Sequence, residues 1–401
     1  MIVDLHDTTI ADVGRTLLQL REDVGAMALS RVLTLVVVTG PDHLEEVHKV
    51  ARAATHMHPS RIIVLVPGAT SGHAGLQAQL RVGGEAGASE VIVLETGGEL
   101  AEHTGSVVLP LLLPDSPVVA WWSHDAPDDP ANDPVGALAQ RRITDAEHSS
   151  NPSDTLRRRA ANYADGDTDL VWTRTTRWRG LLAAALDHPP YAQVESVTVT
   201  GGLDSASADL LAAWLGEYLD CPVVRARTRH GTGLVSARLH RSDGDIDLVR
   251  PDGLMATLSV PGQPVRRLAL ARRGDAECLS DELTRLDPDE VFERVVTSGL
   301  ARLTTVLSAS EATERGEAPS LAQARSLSRK LARRTRGRTS AAMVERSEPA
   351  DDTSDEAVKA AVDSQLRNEH RSGPPPAADP AGGREPVEPG TPVEPETRTR
   401  S

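Results

Sequence analysis

The sequence predicts an α/β fold: an N-terminal mixed three-layer α/β domain over residues 1–150, an α+β domain with an antiparallel meander over residues 151–303, and then a disordered C-terminal tail. Three observations carry this. Helix-period and strand-like segments alternate through the first half of the chain. Between residues 234 and 262, Asp-Gly and Pro-Gly breaks separate short alternating segments, the pattern of consecutive hairpins. The five tryptophans, three tyrosines and single phenylalanine all precede residue 293, so the remainder lacks large aromatic anchors for a core.

Taken in order, Ile10, Val13, Leu17, Leu20 and Val24 share one face of an amphipathic helix. Residues 32–39 are a nearly continuous apolar run, 41–57 read as a helix with Leu44, Val47, Val50, Ala51 and Ala54 inward, and 62–66 are a second run. Such runs suit strands buried on both faces of a sheet. In residues 76–82, apolar positions alternate with Gln77, Gln79 and Arg81, which predicts a strand with one solvated face, and residues 91–94 are its neighbour. Residues 117–122 make a further buried strand that ends in Trp121 and Trp122, closed by a Pro/Asp-rich turn.

Residues 156–186 turn helical, and a strand over 194–200 then ends at Gly201-Gly202 before a helix over 205–219. The meander takes residues 234–241, 246–250 and 254–260. Two helices close the domain, the second announced by Asp287-Pro288-Asp289-Glu290, read as an N-cap, a first-turn proline and a capping-box glutamate. Residues 304–346 form a basic, partly helical segment, with seven Lys or Arg side chains from Arg325 to Arg338. From residue 347 onward, nine prolines and twelve acidic residues leave too little apolar surface to offset the entropy of ordering.

A net charge of −15 makes nucleic acid or an anionic membrane a poor partner for the chain as a whole. No segment approaches the ~18 apolar residues of a membrane span, and the opening residues lack the pattern of a signal peptide, which predicts a cytoplasmic protein. Cys221 and Cys278 stand far apart with no metal-binding spacing. His56 and His58, with His43 and His48 nearby, lack a completing ligand, and Asp243, Asp245 and Asp247 imitate the start of a calcium loop whose glycine and glutamate positions hold Leu248 and Leu254. No metal or cofactor is implied, and no nucleophile motif is present.

Three features have alternative readings. Gly201, Gly202 and Ser205, between a strand and a helix, are either a phosphate-cradling turn or a plain tight turn. Trp121, Trp122, Trp172, Arg174, Arg177 and Trp178 have the composition of interface hot spots, but the scarcity of other large aromatic residues favours the core for the tryptophans. The basic run over 325–338 is either a nucleic-acid contact or a solvated charge run screened by the acidic tail.

Seven stretches resemble the glucose-6-phosphate dehydrogenase assembly protein family (OpcA) in its actinobacterial form. They are residues 1–7 (MIVDLHD), 58–66 (HPSRIIVLV), 87–94 (GASEVIVL), 111–122 (LLLPDSPVVAWW), 141–146 (RRITDA), 167–182 (DTDLVWTRTTRWRGLL) and 271–291 (ARRGDAECLSDELTRLDPDEV). The specificity lies in their number and order. The resemblance implies a protein with no chemistry of its own that binds glucose-6-phosphate dehydrogenase and promotes its active, assembled state, supporting NADPH production. In cyanobacterial relatives the effector is associated with redox control of the dehydrogenase, and Cys278, inside a resembling stretch, is the candidate redox position. Two other classes stay open: a small-molecule enzyme using the Gly201-Gly202 turn, and a nucleic-acid accessory protein using residues 325–338.

Overall fold

Runs of Val, Ile and Leu make the centre of the first sheet, because a strand covered on both faces has no solvated side to mark with polar residues. The computed structural model describes residues 1–23, 32–56, 59–83, 90–189, 191–229 and 233–332. Its first sheet has eight strands: β1 (Ile2–Leu5), β2 (Leu33–Val38), β3 (Ser60–Pro67), β4 (Gly75–Val82), β5 (Glu90–Gly97), β6 (Val118–Trp122), β7 (Arg141–Thr144) and β8 (Asp167–Asp169). Their order is β1-β4-β5-β3-β2-β6-β7-β8. All neighbours from β5 to β8 are parallel, whereas β4 is antiparallel to β5 and β1 to β4. Helices α1 (Ile10–Asp23), α2 (Leu44–Ala54) and α3 (Thr104–Val108) cover the two faces. Val13 and Leu17 of α1 and Val107 of α3 pack with Val36, Ile63 and Trp122, while Val47 and Ala51 of α2 pack with Leu35, Ile62 and Trp121. Successive strand residues point to opposite faces, so the adjacent tryptophans enter different cores.

The chain continues through α4 (Pro152–Ala161), α5 (Leu170–Arg174) and α6 (Thr176–Leu186) to a second, seven-stranded sheet. This comprises β9 (Val194–Gly202), β10 (Val223–Thr228), β11 (Leu234–Arg241), β12 (Ile246–Val249), β13 (Met255–Ser259), β14 (Arg266–Ala269) and β15 (Thr305–Ser308), in the order β14-β13-β12-β11-β9-β10-β15. Strands β9, β10 and β15 are parallel, and β11 to β14 form the predicted antiparallel meander. Its turns put Gly244 at φ +119 and Gly253 at φ +77, the left-handed region that glycine enters without strain. Helix α7 (Ala206–Leu219) packs on this sheet through Ala208, Leu211 and Leu215, together with Trp178 and Leu182 of α6. Helices α8 (Asp275–Thr284), α9 (Glu290–Thr297) and α10 (Ala309–Glu314) follow. The architecture is thus mixed α/β with two mixed sheets, as the sequence predicts.

Several local readings change. The helical stretch expected over 156–186 is interrupted by β8, whose Asp-Thr-Asp sequence gives no hydrophobic signal. Polar contacts hold it: Arg142 Nε to Asp167 Oδ1 at 2.5 Å and Thr144 Oγ1 to Asp169 Oδ2 at 2.7 Å. Gly166, at φ +92, lies where a Cβ would come within 2.2 Å of the Gln140 carbonyl oxygen, so no larger residue can start this strand. The N-cap of α9 is Asp289, not Asp287: its carboxylate accepts the backbone amides of Val291 and Phe292 at 3.0 and 2.9 Å, leaving Pro288 outside the helix. Strand β10 escapes a hydrophobic reading because Arg225 is buried in it, paired with Asp209 of α7 at 2.8 Å.

Cys278, Leu279 and Leu283 of α8 join α2 in the core of the first sheet, and residues 1–336 form one compact unit. The fold also continues past residue 303. Strand β15 extends the second sheet, α10 carries a Ser308–Glu311 capping box, residues 321–332 are helical, and Ala312, Ala318 and Ala324 are buried. The acidic Pro-rich tail, the rest of the basic run and His58 lie outside the described residues.

Candidate functional site

The parallel strands β5-β3-β2-β6-β7-β8 have the doubly wound order in which the chain reverses direction across the sheet between β2 and β6. In such sheets a crevice opens beyond the carboxyl ends of the two strands at the reversal. Here three imidazoles gather beyond the strand ends. His43 follows β2, His124 follows β6 and His148 follows β7. The His43 and His124 rings stack with centroids 3.7 Å apart and planes within 3°, and His148 continues the stack at 4.5 Å. Ser123 Oγ donates to Thr39 Oγ1 at 3.2 Å, tying the two strand ends together. His148 Nδ1 lies 2.9 Å from the Ser123 carbonyl oxygen, an acceptor only, so this nitrogen carries the proton. Burial, then the charges of His148 and His43, hold the pKa of His124 below the usual histidine value.

Beneath the stack lies a charge clamp. Arg174, from α5, donates to both oxygens of Asp145 at 2.8 and 2.5 Å and to Asp275 Oδ1 at 2.6 Å. It thereby joins the end of β7 to the start of α8. Burial opposes the charge on both partners, but their mutual hydrogen bonds and attraction outweigh it. The Asp145 carboxyl is held below the usual range, and the Arg174 guanidinium above its own. Next to it, burial and then the Asp145 charge push the Asp169 carboxyl up, although Asp169 accepts the amides of Ala146 and Val171 and faces Arg159 at 3.4 Å.

Asp145, His148 and Asp275 each bring a ligand-type atom within 4.8 Å of the others. Arg174 already bridges the two carboxylates, so a divalent cation there would meet a guanidinium, and the donor set suits a clamp better than a metal. Nor does the loop after β2 suit a dinucleotide. Its Gly40-Pro41-Asp42 sequence removes an amide and puts a carboxylate where a phosphate would approach.

The sequence-predicted positions fall as follows. Trp121, Trp122, Trp172 and Trp178 are each no more than 3% exposed. Trp172 Nε1 donates to Asp289 at 2.8 Å, and the Arg179 guanidinium lies 3.5 Å above its ring. Arg174 is the clamp, whereas Arg177 has a half-exposed side chain paired with Glu277 at 2.6 Å. Gly201 and Gly202 end β9. The Gly202 amide donates to the Gly233 carbonyl, the Gly202 carbonyl accepts from Arg225, and Ser205 caps α7 through the Ala208 amide. A Cβ at Gly201 would lie 2.6 Å from that of Ala208, so glycine here serves strand–helix packing. Neither carbonyl nor amide of Gly202 is left for a ligand.

Cys278 has no exposed surface, and burial pushes its thiol up to about 12; burial also raises that of Cys221. Since the thiolate is the reactive form, a chromogenic disulfide reagent at mildly alkaline pH is expected to leave both cysteines unmodified in the native chain and to label both after unfolding. Rapid labelling of native Cys278 would contradict this. The histidine stack escapes a sequence reading because its members come from three loops far apart in the chain. The visible signal is the strand end Trp122-Ser123-His124.

Two family models match the chain. Residues 51–161 match the N-terminal domain of the family described as glucose-6-phosphate dehydrogenase subunit, and residues 165–296 match its C-terminal domain. Together they cover more than half of the chain. A "Putative OxPP cycle protein OpcA" of Synechocystis sp. is 29% identical over 163 residues, which are 38% of this chain and 33% of the relative. The match therefore spans about a third of that relative's length. Among solved structures, an oxidoreductase from Sinorhizobium meliloti aligns over 71% of this chain and 98% of its own at 10% identity and a TM-score of 0.38. An inositol dehydrogenase homolog from Azotobacter vinelandii, complexed with NADH and myo-inositol, aligns over 73% and 89% at 12% identity and a TM-score of 0.28. Likenesses at these scores carry no argument about chemistry.

Proposed function

The chain belongs to the glucose-6-phosphate dehydrogenase assembly protein family (OpcA), and from this we propose that it is a non-catalytic effector of glucose-6-phosphate dehydrogenase. In this reading it acts in the cytoplasm, binds the dehydrogenase and promotes its active oligomeric state in the oxidative pentose phosphate pathway. The observation that carries the proposal is the match of both family domains, in order, over more than half of the chain. The geometry supports it. At the strand reversal three imidazoles stack on one another, and the neighbouring acids are engaged by Arg174 and Arg159. These groups join the ends of β7 and β8 to α4, α5 and α8, which suits a rigid docking body.

Such an effector raises activity only by binding the competent form of its partner more tightly than the incompetent form, and its effect is bounded by that difference. In this reading the buried tryptophans shape the body from within, and Arg177 is the member of the tryptophan–arginine set with a side chain exposed enough to meet a partner surface. No membrane contact is needed: among the described residues, no helix is long and apolar enough to cross a bilayer. The test is to mix the purified chain with the dehydrogenase of its own organism and follow co-elution and rate together.

A further inference from the structure

The parallel strands β9, β10 and β15 end level with one another, with Gly202 opposite Thr228 and Arg227 opposite Ser308. A cavity of about 890 Å³ opens beyond these ends, closed on one side by the segment from α10 to residue 321. Its volume falls in the range of about 300–1,000 Å³ typical of small-molecule sites.

Two positive groups line it. Arg227 is partly buried, and its Nε has no hydrogen-bond partner; Arg229 stands at the exposed edge. Neither is paired with a carboxylate among the described residues, although most other buried or half-buried arginines here are, Arg225 with Asp209 and Arg238 with Asp247 among them. This contrast matters at Arg227, because a buried polar group such as its Nε is costly without a partner, and an acidic protein has many carboxylates that could have met it. Thr200, 2% exposed, also lines the cavity and has an unpartnered hydroxyl. Glu314 is the one carboxylate in the described lining. At the rim, Leu203 and Val306 are about half exposed, large apolar groups left beside a polar pocket.

We propose that this crevice binds a small phosphate monoester. The two guanidiniums would hold the dianionic phosphoryl oxygens by charge-assisted hydrogen bonds. Thr200 would donate its hydroxyl to a third oxygen, Glu314 would accept from hydroxyls of the organic part, and Leu203 and Val306 would cover its apolar surface. Phosphate recognition, read from the sequence at the Gly201-Gly202 amides, thus moves to side chains flanking the same turn. The proposal does not depend on the effector reading, since the ligand site is a property of the isolated chain.

Calorimetric titration of the full chain with glucose 6-phosphate, AMP and inorganic phosphate, with glucose and adenosine as controls, tests it. At least one ester should bind at one site per chain, more tightly than inorganic phosphate, with no binding of the matching control. Affinity should fall about tenfold or more in Arg227→Gln/Arg229→Gln, in line with the loss of charge-assisted bonds. Thr200→Val, which keeps side-chain volume and charge, should weaken binding by a smaller factor and guards against a folding defect in the double variant. The proposal is overturned if no ester binds at millimolar concentration, if inorganic phosphate binds as tightly as the esters, or if both variants bind like the wild type.

Discussion

Replacing Arg174 with alanine is expected to lower the free energy of unfolding by about 3–5 kcal/mol, the cost of leaving a buried partner charge uncompensated. The arginine side chain is 3% exposed and that of Asp145 is 1% exposed, so screening by solvent does not reduce the effect. Three hydrogen bonds are lost, and with them the link between β7, α5 and α8. The pH dependence follows from the direction of the Asp145 shift. Its folded pKa lies below the ordinary 3.8, so its contribution is present at neutral pH and is lost as pH falls through the folded value. In the variant, burial without the guanidinium raises the same pKa, which favours folding with the acid protonated. The gap between wild type and variant should therefore be widest near neutrality and narrow on acidification. Urea midpoints across pH measure this, and a constant gap would show that the clamp acts through packing and not through charge.

Trp172→Ala is expected to cost about 3–5 kcal/mol, as for other buried tryptophans. The indole packs 5.8 Å from the Phe292 ring and under the Arg179 guanidinium, and it donates to Asp289, the residue that caps α9. Truncation removes apolar area, leaves a cavity and frees an oxygen of the capping carboxylate. Arg177→Ala, on the neighbouring α6, should change stability by no more than about 0.5 kcal/mol, because its ion pair is solvent-exposed. Chemical denaturation of the two variants separates a core role from a surface role. A stable Trp172→Ala would mean that the indole contributes little to the fold.

How much of this is legible in the sequence depends on the kind of force involved. The central strands of the first sheet announce themselves through uninterrupted apolar runs, and the meander through its glycine turns. Strands β7, β8 and β10 do not, because Arg141, Arg142, Asp167, Asp169 and Arg225 occupy them. Each of these charges is stable there only because a partner from another element meets it, and a linear pattern does not encode that pairing. The same holds for the site. Asp145 and His148 share the turn after β7, whereas Arg174 comes from α5 and Asp275 from α8, so three separate parts of the chain build it. Trp172 is visible as a large aromatic residue, but its burial depends on Phe292 and Asp289, more than a hundred positions later. A boundary drawn at residue 303 leaves β15 out of the second sheet, since small residues such as Ala312, Ala318 and Ala324 pack closely without an aromatic signature.

We propose that this chain acts on glucose-6-phosphate dehydrogenase without chemistry of its own. The most direct measurement titrates the purified chain into the purified dehydrogenase of the same organism while NADPH formation and the size of the complex are followed together. Expected are no dehydrogenase activity in the chain alone, a rate that rises to saturation as it is added, and co-elution of the two proteins in an assembled form. Two proteins that neither associate nor alter the rate or its substrate dependence at micromolar concentrations would contradict it.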